Sequence, residues 1–254
     1  MSVEAFLPWI LSVGLLTVRL TVALALSPAF AAYGVPGIVR VVLTLALAVA
    51  TFAYQAPVPA AAEWVGQPAL LLKPIAAEIL VGALLGLGVH AALAAFALAG
   101  RLLDVQIGFG IGSVFDPVTR ASANVLGSLF SLLGVTLFFV TDAHLALAGL
   151  IAQSLEVFPL GRFPALDDPM QPIVATGSMF TFGLALAAPV AIALLLTDLA
   201  VGVASRNMPQ VNVLVLAIPL KVVVGYLVLS LAVTGWAPLV QHGFSQMADV
   251  LGAR

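Results

Sequence analysis

The stretch Arg101–Arg120 combines charged ends with small and large apolar residues, a composition that suggests a specific activity. Three glycines alternate there with two large apolar residues, in the order Gly108, Phe109, Gly110, Ile111 and Gly112. Glycine permits positive φ angles and close approach of other chains, whereas the apolar side chains need a dry surface. An apolar, flexible segment between charged ends predicts a plug inside a pore, because hydrated ions do not cross an apolar constriction. The alternative is a re-entrant loop that packs only for stability.

Residue patterns for covalent or metal chemistry are absent from the sequence. The chain has no Cys, no His-Glu-x-x-His zinc motif and no Gly-x-Ser-x-Gly nucleophile motif. The run Gly108–Gly112 lacks the Lys-Ser/Thr of a phosphate-binding loop and the spacing of a dinucleotide fingerprint. We therefore expect no enzymatic activity, no bound metal and no cofactor.

Several charged residues lie in or beside apolar stretches, namely Arg19, Asp104, Asp142, Asp198, Arg206 and Lys221. A charge within a membrane is costly unless it pairs, reaches the interface or lines water. Interfacial anchoring is the simpler interpretation, and an ion-coupled path is the alternative. The sequence has no dense row of Asp, Glu and His along one predicted helix, which argues against the path. His90 is expected to be a hydrogen-bonded core residue rather than a ligand.

The overall composition indicates the environment in which these residues are positioned. Hydrophobic residues make up 63% of the 254 residues, charged residues only 8%, and the mean hydropathy is +1.21. Ordinary soluble domains have roughly 45–50% and 25% of these classes. So few charges cannot cover so much apolar surface in water, and an integral membrane protein is predicted. The 9 scattered Lys and Arg residues provide no basic patch for nucleic acid.

Stretches without Asp, Glu, Lys or Arg predict the elements that position these residues. About six such stretches have the length of roughly 20 residues that crosses a membrane as a helix. They are Ala5–Phe30 (interrupted by Arg19), Val41–Ala62, Ile79–Gly100, Ala121–Thr141, Pro169–Thr197 and Val222–Ala248. Their polarity does not alternate as in a β-barrel, so the fold is predicted to be all-α. The charged stretches Arg101–Arg120 and Asp198–Pro209 are predicted to be connections.

Proline and glycine mark special positions inside the apolar stretches. Pro189 and Pro219 predict either kinked helices or discontinuous helices that line a conduit. The spacing Gly82-x-x-x-Gly86 predicts a face that packs closely against another helix.

Two motifs extend over the charged stretches. The first is Leu103-Asp-Val-Gln-Ile-Gly-Phe-Gly-Ile-Gly-Ser-Val-Phe-Asp-Pro117, and the second is Ser205-Arg-Asn-Met-Pro-Gln-Val-Asn-Val-Leu-Val-Leu-Ala-Ile-Pro-Leu-Lys221. Both resemble signatures of the flagellar biosynthetic FliR family, which belongs to the export gate of type III secretion. The length and the six apolar stretches fit this family along essentially the whole chain. Injectisome homologues of the family usually carry a basic residue where this chain has Ile107, which favours the flagellar branch.

The resemblance implies kinked helical hairpins packed into a hetero-oligomeric export gate with FliP-like and FliQ-like subunits, and a FlhB-like subunit at its closed base. It implies one membrane domain, 1–254. Residues 1–155 would be a FliP-like part that contains the plug segment 101–120, and 156–254 a FliQ-like C-terminal hairpin part. The implied location is the bacterial inner membrane, in the flagellar basal body, where the gate is a conduit for unfolded export substrates.

The resemblance also implies roles for particular residues. The channel plug would consist of Gln106, Gly108, Phe109, Gly110, Ile111, Gly112, Val114, Phe115, Asp116 and Pro117. An assembly or gating interface would contain Arg206, Pro209, Gln210, Asn212, Pro219 and Lys221. Two alternatives remain open, an injectisome export apparatus homologue and a secondary transporter for a small solute.

Overall fold

The computed structural model describes residues 3–27, 36–52, 64, 68–109, 124–164, 170–207 and 213–245. Within these ranges the regular elements are helices, and no strand is present. The helices are α1 (Val3–Ala25), α2 (Gly37–Phe52), α3 (Leu72–Ile107), α4 (Val125–Val140), α5 (Ala143–Val157), α6 (Gln171–Asn207), α7 (Val213–Val233) and α8 (Ala237–Ser245). A 3-10 turn, Pro68–Leu71, precedes α3. The predicted all-α fold is confirmed.

The helices account for the apolar segments that the sequence predicts. Three of them are long and apolar enough to cross a membrane, over Leu7–Ala25, Ala69–Ile107 and Gln171–Arg206. The pairs α4–α5 and α7–α8 each pass the same test as one bent span, with bends of 68° and 70°. The described residues thus hold three to five candidate spans, and α2 is a shorter apolar helix. Long spans, bent pairs and α2 correspond to the six predicted segments.

Charged residues do not end the two longest helices, contrary to the prediction from the charge-free stretches. Helix α3 starts before Glu78 and continues past Arg101 and Asp104, and α6 continues past Asp198 to Asn207. The prediction that 101–107 and 198–207 are connections is therefore wrong. Glu78, Asp104 and Asp198 each have a polar partner on another part of the chain, so their charges are compatible with helix interiors.

The sharp bends occur at turns rather than at the prolines. Pro189 lies inside α6 and Pro219 inside α7, and both helices continue through them. The α4–α5 bend lies at Thr141 and Asp142, and Asp142 adopts a left-handed conformation with φ 57°. Asp tolerates this conformation better than most residues. The two sharp bends thus lie at turns between helices.

The chain forms two compact units that are interleaved along the sequence. Unit 1 contains Met1–Ala91, Asp142–Thr176 and Ser245–Arg254, and unit 2 contains Ala92–Thr141 and Gly177–Phe244. This division separates the parts of the chain that pack compactly together. The division into FliP-like and FliQ-like parts at residue 155 concerns similarity to other proteins, and it stays a prediction.

In unit 1, the first part of α3 packs closely on α1. A Cβ at Gly82 would collide with the Arg19 carbonyl oxygen, and a Cβ at Gly86 would lie 2.8 Å from Leu26 Cβ. The predicted close-packing face of these glycines is confirmed. His90 Nδ1 lies 3.1 Å from the Leu26 carbonyl oxygen. The ring is hydrogen-bonded as expected, but it is exposed and not in the core.

A fully buried ion pair lies at the centre of unit 1. Arg19 Nε lies 2.6 Å from Glu78 Oε2, and both side chains have 0% exposure. The Arg19 guanidinium also donates to the Ser154 hydroxyl and to the carbonyls of Ser154 and Phe158. The Gly161 N–H donates to Glu78 Oε1 at 2.7 Å. This network joins α1, α3, α5 and the turn after α5, and each charge in it is compensated.

Unit 2 is held by an aromatic cluster. Phe96 of α3 makes an edge contact with Phe182 of α6 at 5.6 Å and stacks on Phe244 of α8 at 6.1 Å between ring centroids. Phe138 of α4 contacts Phe244 at 5.6 Å. Such pairs contribute about 0.5–1.5 kcal/mol each beyond the burial of their area. The cluster joins α3, α4, α6 and α8 along the second half of α3.

Candidate functional site

The structure describes the start of the predicted plug and part of the predicted interface. Gln106 lies in the last turn of α3, which ends at Ile107. Gly108 and Phe109 follow this helix. Arg206 is exposed in the last turn of α6, and Pro219 is exposed within α7. The other predicted residues lie outside the described residues, namely Gly110, Ile111, Gly112, Val114, Phe115, Asp116, Pro117, Pro209, Gln210 and Asn212.

Gly108 terminates α3 in a conformation that favours glycine. Its φ angle is 96°, and its N–H donates to the Asp104 carbonyl at 3.2 Å. A positive φ at the residue after the last helical one is a common helix C-cap, because only glycine adopts it without strain from a Cβ. Gly108 therefore uses the backbone freedom of glycine to end α3 where the segment begins.

Asp104 binds α4, the helix that follows the Gly-rich segment, residues 108–112. Its carboxylate accepts the N–H of Leu126 at 2.9 Å and of Gly127 at 2.8 Å, and the residue is only 6% exposed. These N–H groups belong to the first turn of α4, where backbone N–H groups have no partner within the helix. Asn124, the N-cap residue, makes no side-chain cap bond. The negative charge also suits the positive end of the α4 dipole.

Small residues allow this contact between α3 and α4. A Cβ at Gly100 would lie 2.7 Å from Gly127 Cα, so the two backbones approach closely there. Hydrogen bonds to a charged group contribute about 1.5–3 kcal/mol each. The two helices that flank the Gly-rich segment are thus fixed to each other near its start and its end. In the sequence, Asp104 stands in the first motif and among the charges beside apolar stretches, but no role could be assigned to it there.

Lys221 plays the complementary role at the end of α3. Its Nζ donates to the Gln106 carbonyl oxygen at 3.2 Å and forms an ion pair with Asp198 Oδ1 at 2.5 Å. The Gln106 carbonyl is one of the last four in α3, which lack partners within the helix. A cation is favourable at this negative end of the helix dipole. Each helix end beside the segment therefore has a side chain of the fitting charge from another helix.

This contact brings together the two sequence motifs. Gln106 and Lys221 are 115 residues apart in sequence. Helix α7 also packs on the end of α3, because a Cβ at Gly225 would lie 3.1 Å from Ile107 Cδ1. The partner of Asp198, one of the charges beside the apolar stretches, is Lys221. Asp198 is absent from both motifs, so motif reasoning missed it.

The charged groups of this site attach the two helix ends that flank the segment. They are each directed at a helix end or at one another, through Asp104, Lys221 and Asp198. In the part of the chain that the structure describes, no three His, Asp or Glu side chains gather as metal ligands.

Comparison with known proteins identifies the family. The profile described as bacterial export proteins, family 1, matches residues 10–247. The flagellar biosynthetic protein FliR of Pectobacterium carotovorum is 32% identical over 175 residues, which cover 68% of this chain and 67% of that protein. FliR of Bacillus subtilis is 32% identical over 178 residues, covering 68% and 69%. The secretion system apparatus protein SsaT of Salmonella typhimurium is 25% identical over 159 residues, covering 62% and 61%. The chain therefore belongs to family 1 of the bacterial export proteins, as its FliR-like motifs predict.

Proposed function

We propose that this chain is a component of a flagellar type III protein export apparatus. With FliP-like and FliQ-like subunits it forms the membrane conduit for unfolded export substrates. Its family membership supports the export role, and its FliR relatives support the flagellar branch. The observation that carries the proposal is the match to the export family over residues 10–247, and the hydrogen bond from Lys221 to Gln106 joins the two FliR-like motifs in the fold.

In this proposal the Gly-rich segment closes the conduit at rest. Phe109, Ile111 and Phe115 supply the apolar seal, in which hydrated ions are unstable and water is expelled. The glycines let the segment move aside when a substrate passes. The anchored ends of α3 and α4 support this role, because a plug must return to the same place after each passage.

The remainder of the apparatus supplies the partners and the energy. Helices α2 and α6 carry many exposed apolar side chains, including Ile38, Val41 and Ile173. Such surfaces fit burial in the lipid of the bacterial inner membrane or against partner helices in the flagellar basal body. A FlhB-like subunit contacts the closed base. This chain is a passive gate without enzymatic activity, so the free energy for transport comes from other components.

The alternative is an injectisome export apparatus homologue, which the similarity to SsaT favours. Ile107, in place of the basic residue usual in injectisome homologues, supports the flagellar assignment. A secondary transporter for a small solute is the alternative outside the export family, and it predicts solute binding by the chain alone.

The assembly is tested by native mass spectrometry of the tagged full chain, extracted in mild detergent. We compare the chain expressed alone with the chain co-expressed with FliP-like and FliQ-like partners. A stable hetero-oligomer that contains one copy of this chain supports the proposal. A monomer or homodimer that is indifferent to these partners contradicts it and favours the transporter.

The plug is tested by deletion of Gly108–Gly112. We expect the complex to assemble and membranes that contain it to become permeable to small ions. Gly177→Ala is a matched control, because an added Cβ there meets no atom within 4 Å. Unchanged ion conductance in the deletion variant would refute the plug.

A further inference from the structure

Asp198 belongs to neither sequence motif, yet it forms an ion pair with the last residue of the second motif. We propose that Asp198 is a positioning residue, which holds the Lys221 ammonium at the carboxyl end of α3 and thereby sets where the Gly-rich segment begins. This inference rests on the function proposed above. It extends that function to a residue that the motifs do not contain.

The geometry requires a second helix to position the Lys221 ammonium. A lysine side chain is a flexible four-carbon stem with a compact charge and three donors. Lys221 Nζ donates a hydrogen bond to the Gln106 carbonyl, and the Asp198 carboxylate of α6 forms an ion pair with the same Nζ atom. Loss of this carboxylate frees the ammonium to leave the helix end. The packing of Gly225 on Ile107 stays, so α7 itself remains against α3.

The degree of exposure distinguishes this attachment from the one made by Asp104. The side chains of Asp198 and Lys221 are 46% and 16% exposed, whereas Asp104 is buried and accepts two backbone N–H groups. A buried carboxylate with two donors is held firmly. Asp104 is therefore the more enclosed attachment, and the Asp198–Lys221 pair is the more accessible one.

The two attachments join the end of α3 to different helices. Asp104 keeps α3 and α4 together. The Asp198–Lys221 pair links the end of α3 to α6, so a displacement of α6 would reach the carboxyl end of α3 through Lys221.

The first test is Asp198→Asn in the full chain, assembled with its FliP-like and FliQ-like partners in proteoliposomes loaded with potassium. Loss of an exposed ion pair is expected to raise the initial potassium release about two- to fivefold. The yield of the complex and its thermal midpoint should stay unchanged. Asp198→Glu keeps the charge and should restore most of the tightness. Glu156→Gln, which changes an exposed carboxylate of α5 in unit 1, is the matched control and should leave the release unchanged.

The second test exchanges the two charges, with Asp198→Lys and Lys221→Asp in one chain. This variant rebuilds the ion pair in reverse but puts a carboxylate beside the Gln106 carbonyl. A carboxylate cannot donate to that oxygen and is unfavourable at the negative end of α3. We therefore expect the exchanged variant to stay leaky and Lys221→Arg to stay tight. Full recovery of tightness by the exchange would show that the ion pair only joins α6 to α7, and would overturn the positioning role.

The Gly108–Gly112 deletion distinguishes the failure of this inference from the failure of the proposed function. If the deletion variant leaks and Asp198→Asn is as tight as the unsubstituted complex, the positioning role is overturned and the plug stands. If the deletion variant is itself tight, the plug is refuted, and the positioning role is refuted with it.

Discussion

Removal of one member of the buried Arg19–Glu78 pair is expected to destabilise the protein strongly. Arg19→Met keeps the aliphatic stem but leaves the Glu78 carboxylate in the interior with the Gly161 N–H as its donor. The Phe158 carbonyl loses the guanidinium donor, which lies 2.9 Å away. Both charged side chains are fully buried, and breaking a buried pair at one partner costs about 3–5 kcal/mol.

The assay is the thermal midpoint of the full chain in detergent. For chains of this length, about 2–4 °C corresponds to each kcal/mol, so the midpoint should fall by about 6–20 °C. The double variant Arg19→Met with Glu78→Leu has no buried charge and should be more stable than Arg19→Met alone. It should stay below the original protein, because Gly161 and Phe158 lose partners at a cost of about 1–3 kcal/mol each.

A matched control and a double-mutant cycle make this reasoning refutable. Glu156→Gln on the exposed side of α5 should change stability by less than about 0.5 kcal/mol. Directly contacting charges should show a large coupling energy. If the losses of the two single variants simply add up in the double variant, the two charges do not stabilise each other and the reasoning is refuted.

Three further substitutions test other contacts by the same thermal assay. Gly82→Val inserts a side chain against the α1 backbone and should lower stability by about 1–3 kcal/mol. The control Gly14→Ala has no atom within 4 Å of the new Cβ and should preserve or raise stability. Equal effects of the two substitutions would contradict the close packing. Asp104→Asn should cost about 1–3 kcal/mol and speed amide hydrogen exchange at the start of α4, and unchanged exchange would exclude the cap. Phe96→Ala removes a buried ring and should lower stability by about 3–5 kcal/mol. Phe180 is exposed, so Phe180→Ala should lower stability far less. Similar losses of stability would contradict the aromatic cluster.

The helical architecture could be predicted because it depends on composition over long stretches. Apolar runs that approach or exceed membrane thickness predict helices whatever their partners are. The helix ends were predicted less well. Glu78 and Asp198 were treated as boundaries, although paired charges are compatible with a helix interior. The pairing depends on side chains far away in the sequence, which local patterns do not reveal.

The sequence predicted the Gly-rich segment of the candidate site but not the contacts that attach its flanking helices. The alternation of glycine with Phe109 and Ile111 indicated a special segment, and the positive φ of Gly108 agrees with the freedom expected of glycine. The attachments of that segment could not be predicted. Asp104 lies in the first motif, but its role as a cap was not evident, because a cap from another helix has no fixed spacing to the helix start that it serves.

The sequence by itself determined that this chain is an all-α membrane protein with a Gly-rich apolar segment, and that two motifs connect it to an export family. Composition and motifs are properties of the chain whether or not it is folded, so they do not depend on tertiary structure. Only the tertiary structure decided which charges meet: Arg19 with Glu78, Asp104 with the start of α4, and Lys221 with both Asp198 and the end of α3. Electrostatic and hydrogen-bond energies depend on distances of a few ångströms between residues that the fold alone brings together.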